Sequence, residues 1–232
     1  MPARRTTPVK AEARPYAYFG ARPKMAVVAT LMAVAGTVTT VVSPTASAAG
    51  CSDIEVVFAR GTDEPPGIGV VGQALVDSLR PLVKGRKIGT YAVKYPASWN
   101  FMAAAKGAND ASAHVQATAA NCPDTKIVLG GYSQGAAVID VVTTSPVPGL
   151  GFSQVLPPAL ADNVAAVAVF GNPSARIGQP LTIMSPLYGA KTADICNVPD
   201  PICSRGDNFS AHTQYPQSGL VKVAAKWVAA HV

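Results

Sequence analysis

This chain of 232 residues has only three histidines and four cysteines, with no Cys-x-x-Cys pair and no cluster of histidines. Structural zinc is held by such clustered thiolates and imidazoles, so no metal site is expected. Charge is also missing where nucleic acid would need it. The formal net charge of +6 sits mostly in the first 48 residues, whose basic residues Arg4, Arg5, Lys10, Arg14, Arg22 and Lys24 are offset only by Glu12. The remainder is close to neutral, and no nucleic-acid partner is expected. Internal repeats and long linkers are absent. Residues 145–160, with Pro146, Pro148, Pro157, Pro158 and two glycines, read as a loop rather than a boundary. Little length is left over for a helical cap.

The stretch from Met25 to Val42 carries no charge, and Pro44 and the small residues Ala46-Ser47-Ala48 follow it. Basic region, apolar run and Ala-x-Ala site together read as a secretory signal over residues 1–48. An uncleaved anchor and a lipoprotein at Cys51 are the alternatives. The apolar run is near the minimum length for spanning, and the large aliphatic residue expected three before Cys51 is absent. The long basic region leaves Met25 open as the true start. The product is expected to be secreted or extracellular, with cell-wall association open, and to be a monomer. Residues 49–232 form one domain with room for a proper core.

The cysteines are Cys51, Cys122, Cys196 and Cys203. An even count in an exported chain suggests two disulfides. Three pairings are open. A local Cys196–Cys203 bridge around a Pro-rich loop is the economical one, leaving Cys51 with Cys122.

β-branched runs alternate with helical patterns along this part. Strands are expected at Ile54 to Ala59, Ile88 to Val93, Ile127 to Gly130, Val164 to Phe170 and between Lys191 and Cys196. Helices are expected at Gly69 to Val83, Ala103 to Ala120, Gln134 to Thr144 and Leu220 to Ala230. Repeated β-α-β alternation implies an α/β fold, three layers deep, with a central, mainly parallel sheet of about five strands.

The chemistry centres on Gly131-Tyr132-Ser133-Gln134-Gly135. This Gly-x-Ser-x-Gly run lies between an apolar strand and a helix, the context of a serine nucleophile elbow. The free N–H groups of the helix start would lie beside Ser133 Oγ, where an oxyanion forms. A serine needs a histidine to take its proton. His114 precedes the serine, and His231 sits at the C-terminus, where it is expected to be solvated. His212, in the loop before the last helix, is the base the order Ser–acid–His requires. No glutamate lies between Ser133 and His212. Asp140, on the helix after the elbow, points away, and Asp162 reads as a turn residue. Asp200, between prolines inside the two-cysteine loop, is preferred over Asp194 and Asp207, because a stiff loop would orient its carboxylate.

These residues resemble the cutinase family of small secreted α/β-hydrolase esterases without a lid. The resemblance rests on Cys51 before the first strand, Phe58-Ala59-Arg60-Gly61-Thr62 after it, Gly131–Gly135, Asp200 in its cysteine loop, and His212 followed by Tyr215. It implies bridges 51–122 and 196–203, with Ser133 as nucleophile, Asp200 as orienting acid and His212 as general base and acid. It also implies an oxyanion hole from the N–H of Gln134 and from Thr62, and no metal or organic cofactor. The likeness to actinobacterial cutinase-like proteins widens the expected substrates to lipids and short- to medium-chain acyl esters, with phospholipids, thioesters and cutin-like polyesters open. Transient contact with lipid surfaces or the cell envelope is expected. An acetylxylan esterase and a non-catalytic surface-binding protein with a vestigial site are the rival readings. Arg60 is expected to brace its loop against a carboxylate. Of Trp99, Phe101, Leu187, Tyr188 and Phe209, only Leu187 and Phe209 are expected at an acyl pocket.

Overall fold

The computed structural model describes residues 16–20 and 50–232. Of the expected export signal over residues 1–48, only residues 16–20 are among the described residues; its apolar run, Met25 to Val42, lies outside them. Among the described residues the sheet has six strands: β1 (Tyr16–Phe19), β2 (Ile54–Ala59), β3 (Ile88–Ala92), β4 (Lys126–Tyr132), β5 (Val164–Phe170) and β6 (Thr192–Cys196). Their order across the sheet is β1-β6-β5-β4-β2-β3. Strands β2 to β6 are parallel, as expected from the alternation. The sequence reading did not anticipate β1, which pairs antiparallel with β6, Tyr16 opposite Cys196 and Phe19 opposite Ala193. Strand β6 ends the parallel set, and its outer N–H and C=O groups can accept any extended segment.

Helices α1 (Gly69–Leu79) and α7 (Leu220–Ala229) cover one face, and α2 (Ala104–Asn121) and α3 (Gln134–Thr144) the other. The period-2 geometry of a strand sorts side chains between these layers. Ile54, Val56 and Phe58 of β2 join Leu75, Val221 and Ala224 in one core. Val57 and Ala59 join Ala108, Val115, Ile139 and Val169 in the other. In β5 every residue is buried, which accounts for its unbroken apolar sequence. The Ala-rich helix α2 is scaffold: Ala104, Ala108, Ala111 and Val115 recur at helical spacing and are buried.

Crossing over from β3 to β4 carries the chain past β2. Strands β2 and β4 are therefore neighbours whose following helices, α1 and α3, leave to opposite faces. Such a switch point opens a crevice at the carboxyl ends of the strands. Ser133 follows β4 there, and Arg60-Gly61-Thr62 follows β2.

Cys51–Cys122 ties the start of β2 to the end of α2, and Cys196–Cys203 ties the end of β6 to the loop after it. The two close loops of different length, with sequence separations of 71 and 7. By loop-closure entropy the first stabilises by about 4 kcal/mol and the second by about 2.5 kcal/mol. Cys51→Ser/Cys122→Ser is expected to lower unfolding free energy in urea more than Cys196→Ser/Cys203→Ser.

Candidate active site

Ser133 has φ 54° and ψ −118° and directly precedes α3. A side chain in this region costs on the order of 1–3 kcal/mol, so its surroundings must impose it. The Ser133 N–H donates to the Phe170 carbonyl at 2.9 Å. A Cβ on Gly131 would lie 2.2 Å from the Gly135 oxygen, and one on Gly135 would lie 1.9 Å from the Ala59 oxygen. Both glycines are thus required for α3 to seat on the ends of β2 and β4. Gln134 and Gly135 open the helix, where backbone N–H groups have no intrahelical acceptor.

Ser133, His212 and Asp200 form one hydrogen-bonded line. His212 Nε2 is 2.9 Å from Ser133 Oγ, and His212 Nδ1 is 2.7 Å from Asp200 Oδ2. Asp200 is fully buried, and both of its oxygens are occupied. Oδ1 accepts the Ile202 N–H at 2.7 Å, and Oδ2 also accepts the Tyr215 hydroxyl at 2.8 Å. Burial and the Asp200 charge push the Tyr215 phenol far above its ordinary pKa, so it stays a donor. His212 stands on a short helix, α6 (Phe209–Thr213), where a loop was expected. The Asn208 side chain caps it by accepting the Ser210 N–H at 3.0 Å. An asparagine two residues before a serine was the available sign of that cap.

Residues that the motif left unassigned lock the imidazole in place. Tyr132 donates its hydroxyl to the His212 carbonyl at 2.7 Å and stacks on the ring. Asn197 donates through its side chain to the Ala211 carbonyl at 2.7 Å, joining the acid loop to the base helix. Gly171, at φ +58°, leaves space for His212: a Cβ there would lie 2.9 Å from its Cε1. The other two histidines are engaged elsewhere. His114 meets Glu55 at 3.1 Å and stacks on Tyr91. His231, expected to be solvated, is partly buried, stacks on Trp227 and donates from Nδ1 to the Trp227 carbonyl. Asp162 and Asp207 are exposed.

Thr62 and Ser133 line one cleft. The Glu64 carboxylate shapes the Thr62 loop, accepting the Gly61 N–H at 2.6 Å and the Val70 N–H at 2.8 Å. Arg60 braces the same loop, though not through the carboxylate expected. Its guanidinium donates instead to backbone carbonyls, that of Glu64 in the same loop at 2.7 Å and that of Tyr95 in the segment after β3 at 2.9 Å. Gln134 is buried, with its side chain donating to the Ser98 carbonyl at 2.7 Å.

The cleft measures about 700 Å³ and is walled by Trp99, Phe101, Tyr132, Ile202 and Phe209. Phe209 was expected there, and Trp99 and Phe101 were not. Trp99 is 73% exposed and held by its indole N–H on Asp63 at 2.6 Å. Leu187 does not line this cleft; with Tyr188 it borders a separate hollow near Pro186. Tyr188 is core, at 2% exposure.

Beneath the wall of the cleft lies a buried carboxylate pair. Asn172 donates one side-chain N–H₂ to Asp140 at 3.0 Å and to Asp194 at 3.1 Å. It also caps α4 (Pro173–Arg176), whose Pro173 and Arg176 border the cleft. Asp194, a candidate orienting acid from sequence, instead accepts at 2.8 Å the N–H of Leu181, the first residue of α5 (Leu181–Met184). Its Oδ1 has no partner among the described residues. Loss of solvent pushes Asp140 up to about 6 and Asp194 up to about 7.

Comparison with known proteins agrees with this architecture. The family model described as Cutinase matches residues 50–232. The chain is 56% identical over 194 residues to Phospholipase Culp4 of Mycobacterium tuberculosis, covering 84% of each. Trichoderma reesei cutinase, solved with a phosphonate inhibitor, is similar at TM-score 0.64 and 32% identity, over 78% of this chain and 76% of that one. The catalytic core of acetyl xylan esterase from Trichoderma reesei is similar at TM-score 0.68 and 25% identity, over 78% and 100%.

The buried pair sets a pH dependence of stability. Between about pH 4 and 7 the folded protein retains protons on Asp194 and Asp140 that the unfolded chain has released. Stability therefore falls as pH rises through that window. Asp194→Asn is expected to match the parent near pH 4 and exceed it by a few kcal/mol at pH 8, given about 1.4 kcal/mol per pKa unit. Urea unfolding at the two pH values measures this.

Proposed function

This chain belongs to the cutinase family and is a carboxylic ester hydrolase, and from that premise we propose that it is an exported serine esterase working through an acyl-enzyme on Ser133. The observation that carries the reading is the unbroken line Asp200–His212–Ser133, with spacings of 2.7 and 2.9 Å, opening into an apolar cleft. His212 Nε2 takes the Ser133 proton as Oγ attacks the ester carbonyl. The oxyanion sits against the N–H of Gln134 and against Thr62; one such donor typically contributes about 3 kcal/mol to lowering the barrier. Collapse returns the proton from His212 to the departing alcohol. Water, deprotonated by the same imidazole, then releases the acid and restores Ser133. Asp200 holds the Nδ1–H and stabilises the imidazolium that forms at each step.

The aromatic and aliphatic walls favour acyl chains, so short- to medium-chain esters and lipids are the proposed substrates. The relative called a phospholipase adds diacyl phospholipids to that range. Exposed Trp99, Phe101 and Phe209 at the mouth suit transient contact with a lipid surface. The charge-free run Met25 to Val42 supports export. A second reading, release of acetate from a polysaccharide, draws on the likeness to acetyl xylan esterase.

A fluorophosphonate is expected to label the folded protein, with labelling abolished in Ser133→Ala and retained in Ser210→Ala. A folded parent that resists labelling overturns the esterase mechanism. Rates across acyl chains of increasing length separate the two readings: a maximum beyond acetate supports the lipid-type substrate, and activity confined to acetyl groups supports the other.

A further inference from the structure

A second apolar hollow of about 410 Å³ lies next to the catalytic cleft. Phe101 borders both and forms the ridge between them. The hollow is lined by Met102, Ala105, Val141, Val147, Leu150 and Phe152, with Thr144 and Ser145 its polar side chains and no ionisable group among its lining residues. Met102 and Leu150 are 62% and 85% exposed, so nothing in the described chain covers them.

Both rims are held open. On one side the Asn109 side chain donates to the Gly151 carbonyl at 2.8 Å and accepts the N–H groups of Ser153 and Gln154 at 2.8 and 2.9 Å. A Gly149–Phe152 backbone pair closes the same turn, and Leu150 at its tip has φ +49°. A bulky apolar residue in that conformation is an outlier that its surroundings must impose. On the other side Asn100 Oδ1 accepts the Met102 N–H at 3.2 Å and fixes the ridge. The result is an uncharged trough that shares its Phe101 wall with the ester cleft.

We propose that this trough is a second hydrocarbon-chain site, which receives the non-reacting acyl chain of a two-chain ester while the reacting chain lies in the cleft at Ser133. The inference rests on the esterase reading. The shared Phe101 selects this occupant: a second hydrocarbon chain leaving the cleft over that ring would lie against a trough with no ionisable lining residue. A peptide would bring polar backbone to a surface with few groups to pair it. Binding energy taken up by a chain remote from the reacting carbonyl is a means of selecting one substrate over another.

The test compares 1,2-dioctanoylglycerol with 4-nitrophenyl octanoate, both below their aggregation thresholds so that no lipid surface is present. The variants are Leu150→Asp, which suits a positive φ better than leucine, and Ala105→Trp, which fills the trough. In both, kcat/KM for the two-chain ester is expected to fall about tenfold, or about 1.4 kcal/mol, chiefly through KM. Hydrolysis of the single-chain ester is expected to stay within about twofold. An unchanged preference, or equal losses on both substrates as a protein-docking or folding role would give, overturns the proposal. A parent inert toward 4-nitrophenyl octanoate overturns the esterase reading itself.

Discussion

Asp200 is a carboxylate removed from water, and it is tolerable there only because donors match its oxygens. Those donors come from three places in the chain: the Ile202 N–H within its own loop, His212 on α6, and Tyr215 just before α7. Each segment is anchored separately. Cys196–Cys203 closes the acid loop onto β6, Asn197 ties it to α6, and Tyr215 packs against Phe170 in the core. The buried charge therefore acts as a geometric constraint: unless these segments dock together, it is left unpaired. The imidazole orientation at Ser133 follows from that docking.

The other half of the site derives from the sheet. Because β2 and β4 are neighbours whose helices depart to opposite faces, their carboxyl ends leave a crevice. Close contact between Gly135 and Ala59 welds the elbow to the end of β2, so Ser133 and the Thr62 loop are positioned by one joint. Glu64 and Arg60 then fix the loop through backbone groups. The left-handed backbone at Ser133 is imposed by strand register and glycine contacts, a strain the surrounding core is large enough to hold.

Much of this was legible in the sequence. Apolar runs such as Ile54 to Ala59 and Val164 to Phe170 coincide with strands because a doubly covered parallel sheet demands continuous apolarity. Ser133, Asp200 and His212 could be gathered because chain order and local loop chemistry leave few choices. Less legible features depend on contacts between distant segments. Five residues are too few to show helical periodicity, so α6 read as a loop. Trp99 and Phe101 wall the cleft only because the segment after β3 folds back over the ends of β2 and β4. Leu187 has the right composition for a pocket and the wrong location. Asp194 looked like a possible orienting acid, yet its position in β6 turns it into the interior, where it shares Asn172 with Asp140. Pairing of β1 with the edge of β6 had no signature in composition, and Tyr16–Phe19 falls within residues 1–48, which read as an export signal.

On the proposed mechanism, apolar surface around the mouth and the ridge at Phe101 would select the ester, and the line from Asp200 to Ser133 would carry its reaction. The rate of a single acylation turnover in Asp200→Asn tests that division most directly, with both disulfides and the fold intact by circular dichroism. The account predicts a fall on the order of 10⁴-fold, because a neutral amide no longer fixes the Nδ1–H tautomer or stabilises the imidazolium. Acylation within about tenfold of the parent would contradict it.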